Sequence, residues 1–285
     1  MKEFKVENHK SSLLPDGEWK LIWNDEFDGK TLDETKWANR AYMMGKRAEH
    51  WVEDAFELDG NSNIIFKLEK RNGVYCTTQL QTGYNYMDMP SEEYDTASAE
   101  NRKEENKSEN YFKWPIGEIK EPKFMHKYGY YECRCKMQER EGWWSAFWLQ
   151  SPIIGSTLNP EFSGVEVDIM EQFSRDGIVQ NVNHWNGYGS QHKSSGACKV
   201  ELKETEDGYH TFGLDWTPDY YRYYVDGELV REIKAPLPIS QTEQFILIST
   251  EAIGYRSSNW NQWEDLEKAE GDKWVVDYVR VFEAI

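Results

Sequence analysis

The residues best able to do chemistry lie in one short stretch, Gly164-Val165-Glu166-Val167-Asp168-Ile169-Met170-Glu171. Acids alternate there with apolar residues, as on a strand with one wet face and one dry face. A period of two puts Glu166 and Asp168 together, with Val165, Val167 and Ile169 on the other side. Glu171 is out of phase by one residue. A β-bulge at Ile169 or Met170 would return all three acids to one face. Like charges held side by side repel, which keeps one acid protonated near neutral pH. Such a set suits a carboxylate nucleophile, a protonated carboxylic acid and a group that couples them. Retaining glycosidases place two carboxyl groups about 5–5.5 Å apart across the scissile bond, so sheet curvature would have to draw the ends of this segment together. An acidic solvent face and a calcium site are the other readings of the same spacing.

The elements that must hold these acids read as β-structure. Short aromatic and β-branched runs recur between turn residues, and helical periodicity is scarce. The expected strands are Trp19–Trp23, Ile64–Leu68, Tyr75–Thr82, Gly129–Met137, Ser145–Leu149, Val165–Glu171, Gly208–Trp216, Tyr220–Val225, Phe245–Glu251 and Trp274–Phe282. Asp226-Gly227 between two alternating runs predicts a hairpin. One short helix is expected near Leu32–Trp37. Residues 1–15 read as an N-terminal tail and 16–285 as a single catalytic domain. Ser91–Asn110, crowded with charge and poor in core residues, reads as a solvated loop or as an insertion beside a cleft.

Composition narrows the class. Lys and Arg number 33 against 51 Asp and Glu, a net charge of −18. That field repels phosphates, so a nucleic acid is not the expected partner. No apolar run approaches the roughly 20 residues of a membrane span. Thirteen Trp and seventeen Tyr supply both core volume and flat stacking surfaces with a polar edge. Cys76, Cys133, Cys135 and Cys198 form no C-x-x-C pair, and free thiols are expected. The polar N-terminus shows no apolar signal core. A secreted or cell-surface protein whose signal has been removed is the expectation, with a cytoplasmic one as the alternative.

The acid stretch resembles the Glu-x-Asp-x-x-Glu signature of glycoside hydrolase family 16 in its bulged form. The resemblance continues in order along residues 18–283. Trp23-Asn24-Asp25-Glu26-Phe27-Asp28-Gly29, with Leu32-Asp33 and Trp37, is similar to the family's opening strand. Tyr128-Gly129-Tyr130-Tyr131-Glu132-Cys133-Arg134 is similar to its central strand, and Gly142-Trp143-Trp144-Ser145-Ala146-Phe147-Trp148-Leu149 to its Trp-rich strand. Trp216-Thr217-Pro218, Tyr224-Val225-Asp226-Gly227 and Val276-Asp277-Tyr278-Val279-Arg280-Val281-Phe282 follow. The resemblance implies an all-β jelly-roll sandwich of two curved antiparallel sheets, of the concanavalin A-like lectin/glucanase kind. It also implies an endo-acting, retaining hydrolase of β-linked polysaccharides, expected to work as a monomer. By motif position Glu166 is the nucleophile, Asp168 the helper and Glu171 the acid/base.

Around these acids, Trp144 and Trp148 share a strand face and are expected to stack on sugar rings. His184 lies on the following strand, within reach of Glu171 or Asp168, beside Trp185. Tyr188, between two glycines, reads as a loop wall. Arg47 and Trp51, with Asn39-Arg40, fall where relatives line the glycone subsites. No cofactor is expected for catalysis. A structural calcium, common in the family, would take Glu26, Asp277 and the Gly129 carbonyl, oxygen ligands that suit Ca²⁺; the other reading is that both acids pair with Lys or Arg. The bulged motif points away from the lichenase and xyloglucan branch. Ser145, where 1,3-glucanases commonly carry Pro, leans toward galactans, and the net charge leans away from heavy sulfation. The expected substrate is a neutral or sparsely charged β-galactan or β-1,3-type glucan. A lectin-like relative without turnover and a transglycosylase are the rivals.

Overall fold

Side chains that alternate along antiparallel strands sort into two sheets with a dry layer between them. The computed structural model describes residues 1–43, 46–90, 119–173, 177–189, 191–252 and 263–285. In the cleft sheet the strands lie in the order Lys193–Ser194, Ile178–Trp185, Glu166–Gln172, Trp143–Gln150, Phe245–Ala252, Gln79–Gln81 and Ala38–Asn39, with Cys198–Glu201 also paired to Ile178–Trp185. The outer sheet runs Glu228–Lys234, Tyr220–Val225, His210–Trp216, Gly129–Lys136, Lys273–Ala284, Ile64–Lys67 and Phe56–Leu58, with Trp19–Asp25 also on Lys273–Ala284. The pairings are antiparallel, and strands distant in sequence are neighbours: Trp143–Gln150 lies beside Phe245–Ala252, and Gly129–Lys136 beside Lys273–Ala284. The fold is a jelly-roll sandwich. Among the described residues no helix is long and apolar enough to cross a membrane.

The inner faces interlock into one core. Trp143, Phe147, Leu149, Val165, Val167, Ile169, Met170 and Trp185 of the cleft side meet Tyr131, Cys133, Phe212, Leu214, Trp216, Val276, Val279 and Val281 of the outer side. Each large apolar side chain so buried contributes about 1.5–3 kcal/mol relative to exposure. Trp143 also gives its indole N–H to Asp272 at 3.0 Å, so its polar edge is not stranded. Gly129 sits at φ +111, where a Cβ would strike the Phe282 carbonyl of the neighbouring strand. All four cysteines are free thiols, and Cys76, Cys133 and Cys135 are buried.

Several sequence expectations change. Tyr75–Thr82 is two strands, Val74–Cys76 on a side hairpin with Glu69–Arg71 and Gln79–Gln81 in the cleft sheet. Leu32–Trp37 is a turn: Asp33 takes the N–H of Thr35 on its carboxylate, and those of Lys36 and Trp37 on its carbonyl. Residues 1–15 are not a loose tail. Lys2–Phe4 and Ser12–Leu14 form a hairpin, and Phe4 and Leu14 pack on Tyr130 and Phe282 of the outer sheet. That cover is needed because Glu132 and Arg280 point outward from the sheet and are fully buried beneath it. Glu132 accepts the Leu13 N–H at 3.0 Å, and Arg280 donates to Lys10 O and Ser12 Oγ at 2.8 Å each. The Asp226-Gly227 hairpin forms between Tyr220–Val225 and Glu228–Lys234. Ser91–Asn110 lies outside the described residues.

Candidate active site

The strand Glu166–Gln172 carries the expected bulge. Against Trp143–Gln150, Asp168 faces Trp148 and Met170 faces Phe147, leaving Ile169 without a partner residue. Ile169 and Met170 therefore both enter the core, and Glu171 turns back to the face of Glu166 and Asp168. All three acids line one pocket with Trp144, Trp148, Arg40, Asp88, Gln79, Tyr188 and Ser249. Asp168 is buried, while Glu166 and Glu171 are half-buried.

Neighbouring strands aim donors at these carboxylates. Glu166 accepts from the Tyr188 hydroxyl and from Gln150 Nε2 at 3.2 Å, both on Oε2. Gln180 stands opposite Glu171 and donates to its Oε2 at 3.1 Å. His184 stands opposite Glu166, its Nε2 3.6 Å from Asp168 Oδ2 and its Nδ1 2.8 Å from His192 Nε2. Burial holds the His184 imidazole below its ordinary pKa, and it does the same to His192, with His184 adding to the effect. Both are therefore neutral near pH 7. Burial, and then the charge of Glu166, push the Tyr188 phenol well above its ordinary range.

The floor is built by the same alternation that builds the core. On Trp143–Gln150 the even positions Trp144, Ala146 and Trp148 form a cluster on the cleft side with Phe245 and Leu247. Trp148 anchors its indole N–H on Ser249 Oγ at 2.9 Å. Arg40 follows Ala38–Asn39 and is buried at the cleft wall. It donates to Asp88 Oδ2 from Nε at 2.7 Å and to Gln79 Oε1 at 2.9 Å. Its guanidinium carbon lies 4.9 Å from the Trp51 ring and 5.4 Å from the Trp148 ring.

Trp144, Trp148, His184 and Tyr188 thus meet at or beside the three acids. Three expected sugar contacts do not. Trp185, next to His184 on its strand, faces the opposite way and packs in the core. Trp51 is 2% exposed, faces Arg40 and gives its N–H to Glu251 Oε2 at 2.9 Å, so its ring is not a free platform. Arg47 is an exposed residue beside Glu53, at 3.7 Å. Gln150, Gln180 and Asp88 were missed. Gln150 could have been found, since it is two residues beyond Trp148 on the same strand face. Gln180 follows only from register, and the Arg40–Asp88 pair spans 48 residues with no local signal.

The calcium set does not fit the residues present. Glu26 holds the Arg280 guanidinium through both oxygens, at 2.9 and 2.7 Å. Asp277, the bulged residue of its strand, accepts from Arg134. A divalent cation there would crowd two guanidinium groups. A hollow of about 740 Å³ lies beside Glu26, between the N-terminal hairpin and Asp28. It is larger than the cleft pocket of about 80 Å³. Two of its acids are engaged, Glu26 by Arg280 and Asp28 by Ser62 and His9, and chemistry rather than volume marks the site.

Comparisons with known proteins agree with this geometry. The family model described as glycosyl hydrolases family 16 matches residues 46–280. Glucan endo-1,3-beta-glucosidase A1 of Niallia circulans is 26% identical over 218 residues, 75% of this chain and 29% of that protein. A beta-glucanase of Rhodothermus marinus is 25% identical over 288 residues, covering 93% of this chain and 85% of that one. Several curated relatives are much longer; the chain spans 14% of a Ruminococcus flavefaciens xylanase/beta-glucanase. Among solved structures, the laminarinase of Flavobacterium sp. UMI-01 superposes with a TM-score of 0.66 at 19% identity, covering 93% of this chain and all of that one. The sandwich, the bulged acid strand and the match over residues 46–280 together place this chain in glycosyl hydrolases family 16.

Proposed function

We propose that the chain is an endo-acting, retaining hydrolase that cleaves internal β-1,3-type linkages of a neutral glucan. One observation carries the reading: a single bulged strand presents Glu166, Asp168 and Glu171 to a cleft floored by Trp144 and Trp148. Glu166 attacks the anomeric carbon while Glu171 protonates the departing glycosidic oxygen. Glu171 then takes a proton from water, whose oxygen displaces Glu166 from the sugar. Asp168, between the two and beside His184, tunes the charge they share.

Three points favour a neutral glucan over the galactan alternative. Two of the relatives named above carry glucan-directed names, a glucan endo-1,3-beta-glucosidase and a beta-glucanase. Asp88 neutralises Arg40, so that guanidinium is not poised for a sulfate. Ser145, the residue that leaned toward galactans, faces away from the cleft, is buried and donates to Gln138 at 2.6 Å.

The test is a reducing-end assay of wild type and Glu166→Gln on laminarin, mixed-linkage glucan, agarose, porphyran and carrageenan. Oligosaccharides released from laminarin by wild type alone are expected. Release from agarose or porphyran only would overturn the substrate. Binding of a polymer without any release would make the chain a lectin-like relative.

A further inference from the structure

The sequence reads Tyr188 as a loop wall, and in the structure its hydroxyl meets Glu166. The direction of that hydrogen bond can be derived. A carboxylate only accepts. The Gln150 amide nitrogen lies 3.2 Å from Glu166 Oε2 and 2.5 Å from the Tyr188 oxygen, donating to both. The opposite amide orientation would aim a carbonyl at a carboxylate. With its oxygen accepting from Gln150, the phenol has one proton, and that proton points at Glu166. Both of these hydrogen bonds fall on Oε2.

The loop that brings Tyr188 here is tightly held. Gly155, at φ +71, packs so closely that a Cβ on it would lie 2.6 Å from the Gly187 Cα. Tyr188 packs against the buried cluster of Tyr86, Met87 and Ile154. The ring is thus braced from behind and on its loop side.

We propose that Tyr188, backed by Gln150, is a positioning residue that fixes Glu166 by Oε2 and stabilises its carboxylate as it leaves the sugar. The inference rests on the double displacement proposed above. In the first half Glu166 Oε1 forms the bond to the anomeric carbon, the carbon–oxygen bond to the leaving sugar breaks, and the Glu171 proton goes to that oxygen. In the second half the water oxygen bonds the anomeric carbon, its proton goes to Glu171, and the electron pair of the carbon–Oε1 bond returns to Glu166. Negative charge on Glu166 disappears in the first half and is rebuilt in the second. A donor on Oε2 therefore helps the second half and gives the first no advantage. Burial keeps the phenol protonated throughout, so Tyr188 donates a hydrogen bond and never its proton.

The test is Tyr188→Phe, assayed with 2,4-dinitrophenyl β-laminaritrioside, whose activated leaving group makes the second half rate-limiting. A hydrogen bond to a charged group carries enough energy for a roughly 10- to 100-fold loss of kcat. KM falls in parallel, and kcat/KM, which reports the first half, stays within about threefold. A pre-steady-state burst grows as glycosyl-enzyme accumulates. The acid limb of kcat/KM moves to higher pH, because a donor to the ionised carboxylate is gone. Gln150→Leu gives a smaller change in the same direction and keeps the test open should the Phe variant fold poorly. A raised KM, or kcat/KM falling as far as kcat, would return Tyr188 to the role of sugar contact and overturn the proposal. Should wild type itself hydrolyse no β-glucan, the proposed function fails rather than this refinement of it.

Discussion

The two sheets both carry acids that the fold removes from bulk water, and they treat them differently. On the outer sheet Glu26 takes Arg280 and Asp277 takes Arg134. On the cleft sheet Glu166 accepts from the Tyr188 phenol and the Gln150 amide, and Glu171 accepts from the Gln180 amide. A guanidinium engages a carboxylate's oxygens in an ion pair and leaves it inert. A neutral donor orients the carboxylate and still lets it gain or lose charge during a reaction. Glu26 and Asp277 therefore hold the hairpin and strands together, and Glu166 and Glu171 are available for chemistry.

The contrast breaks most visibly in activity. Glu171→Ala is expected to cost roughly 10²–10⁴-fold in kcat on laminarin. The loss should shrink on the dinitrophenyl glycoside, whose leaving group needs no proton, and azide should restore turnover. Equal losses on both substrates would remove Glu171 from the acid/base role. On the outer sheet the expectation inverts. Arg280→Met strands the Glu26 charge and should cost about 3–5 kcal/mol in urea unfolding, with kcat per folded molecule unchanged. An unfolding midpoint equal to wild type would show that the buried ion pair does not hold the hairpin side.

A smaller effect is expected from metal. Because arginines occupy Glu26 and Asp277, EDTA and added Ca²⁺ should move the thermal midpoint by less than about 1 °C. A rise of several degrees with Ca²⁺ would mean that the cation displaces a guanidinium, since a ligand bound only by the native state stabilises it. The smallest effect concerns the cleft histidines. Burial lowers the folded-state pKa of His184 and His192 below the 6.5 of an exposed imidazole. As pH falls through about 6.5 the unfolded chain takes up their protons first, so stability drops with pH in that window. A His184→Asn/His192→Asn double variant should flatten the slope of urea midpoints between pH 7.5 and 5.5. An unchanged slope would show that neither imidazole titrates differently on unfolding.

Much of this was legible in the sequence. Period two placed Glu166 and Asp168 on one face, and the out-of-phase Glu171 demanded the bulge that Ile169 provides. The same rule separated Trp144 and Trp148 from Trp143. It would also have turned Trp185 away from His184 had it been applied there. What stayed hidden depends on contacts between distant segments. Arg40 fills the space against Trp51 that a sugar was expected to take. The two supposed calcium ligands answer to arginines from other strands, Arg134 of Gly129–Lys136 and Arg280 of Lys273–Ala284. The N-terminal hairpin looked like a tail because its few apolar residues, Phe4 and Leu14 among them, become meaningful only against the Tyr130 and Phe282 surface.

The central claim is that Glu166 and Glu171 act in sequence on opposite sides of one anomeric carbon. Proton NMR of the first product released from laminarin, recorded before mutarotation, tests it directly. Two inversions leave the β-anomer, and that is the expected signal. A first-formed α-anomer would mean a single displacement by water, and Glu166 could not be the nucleophile.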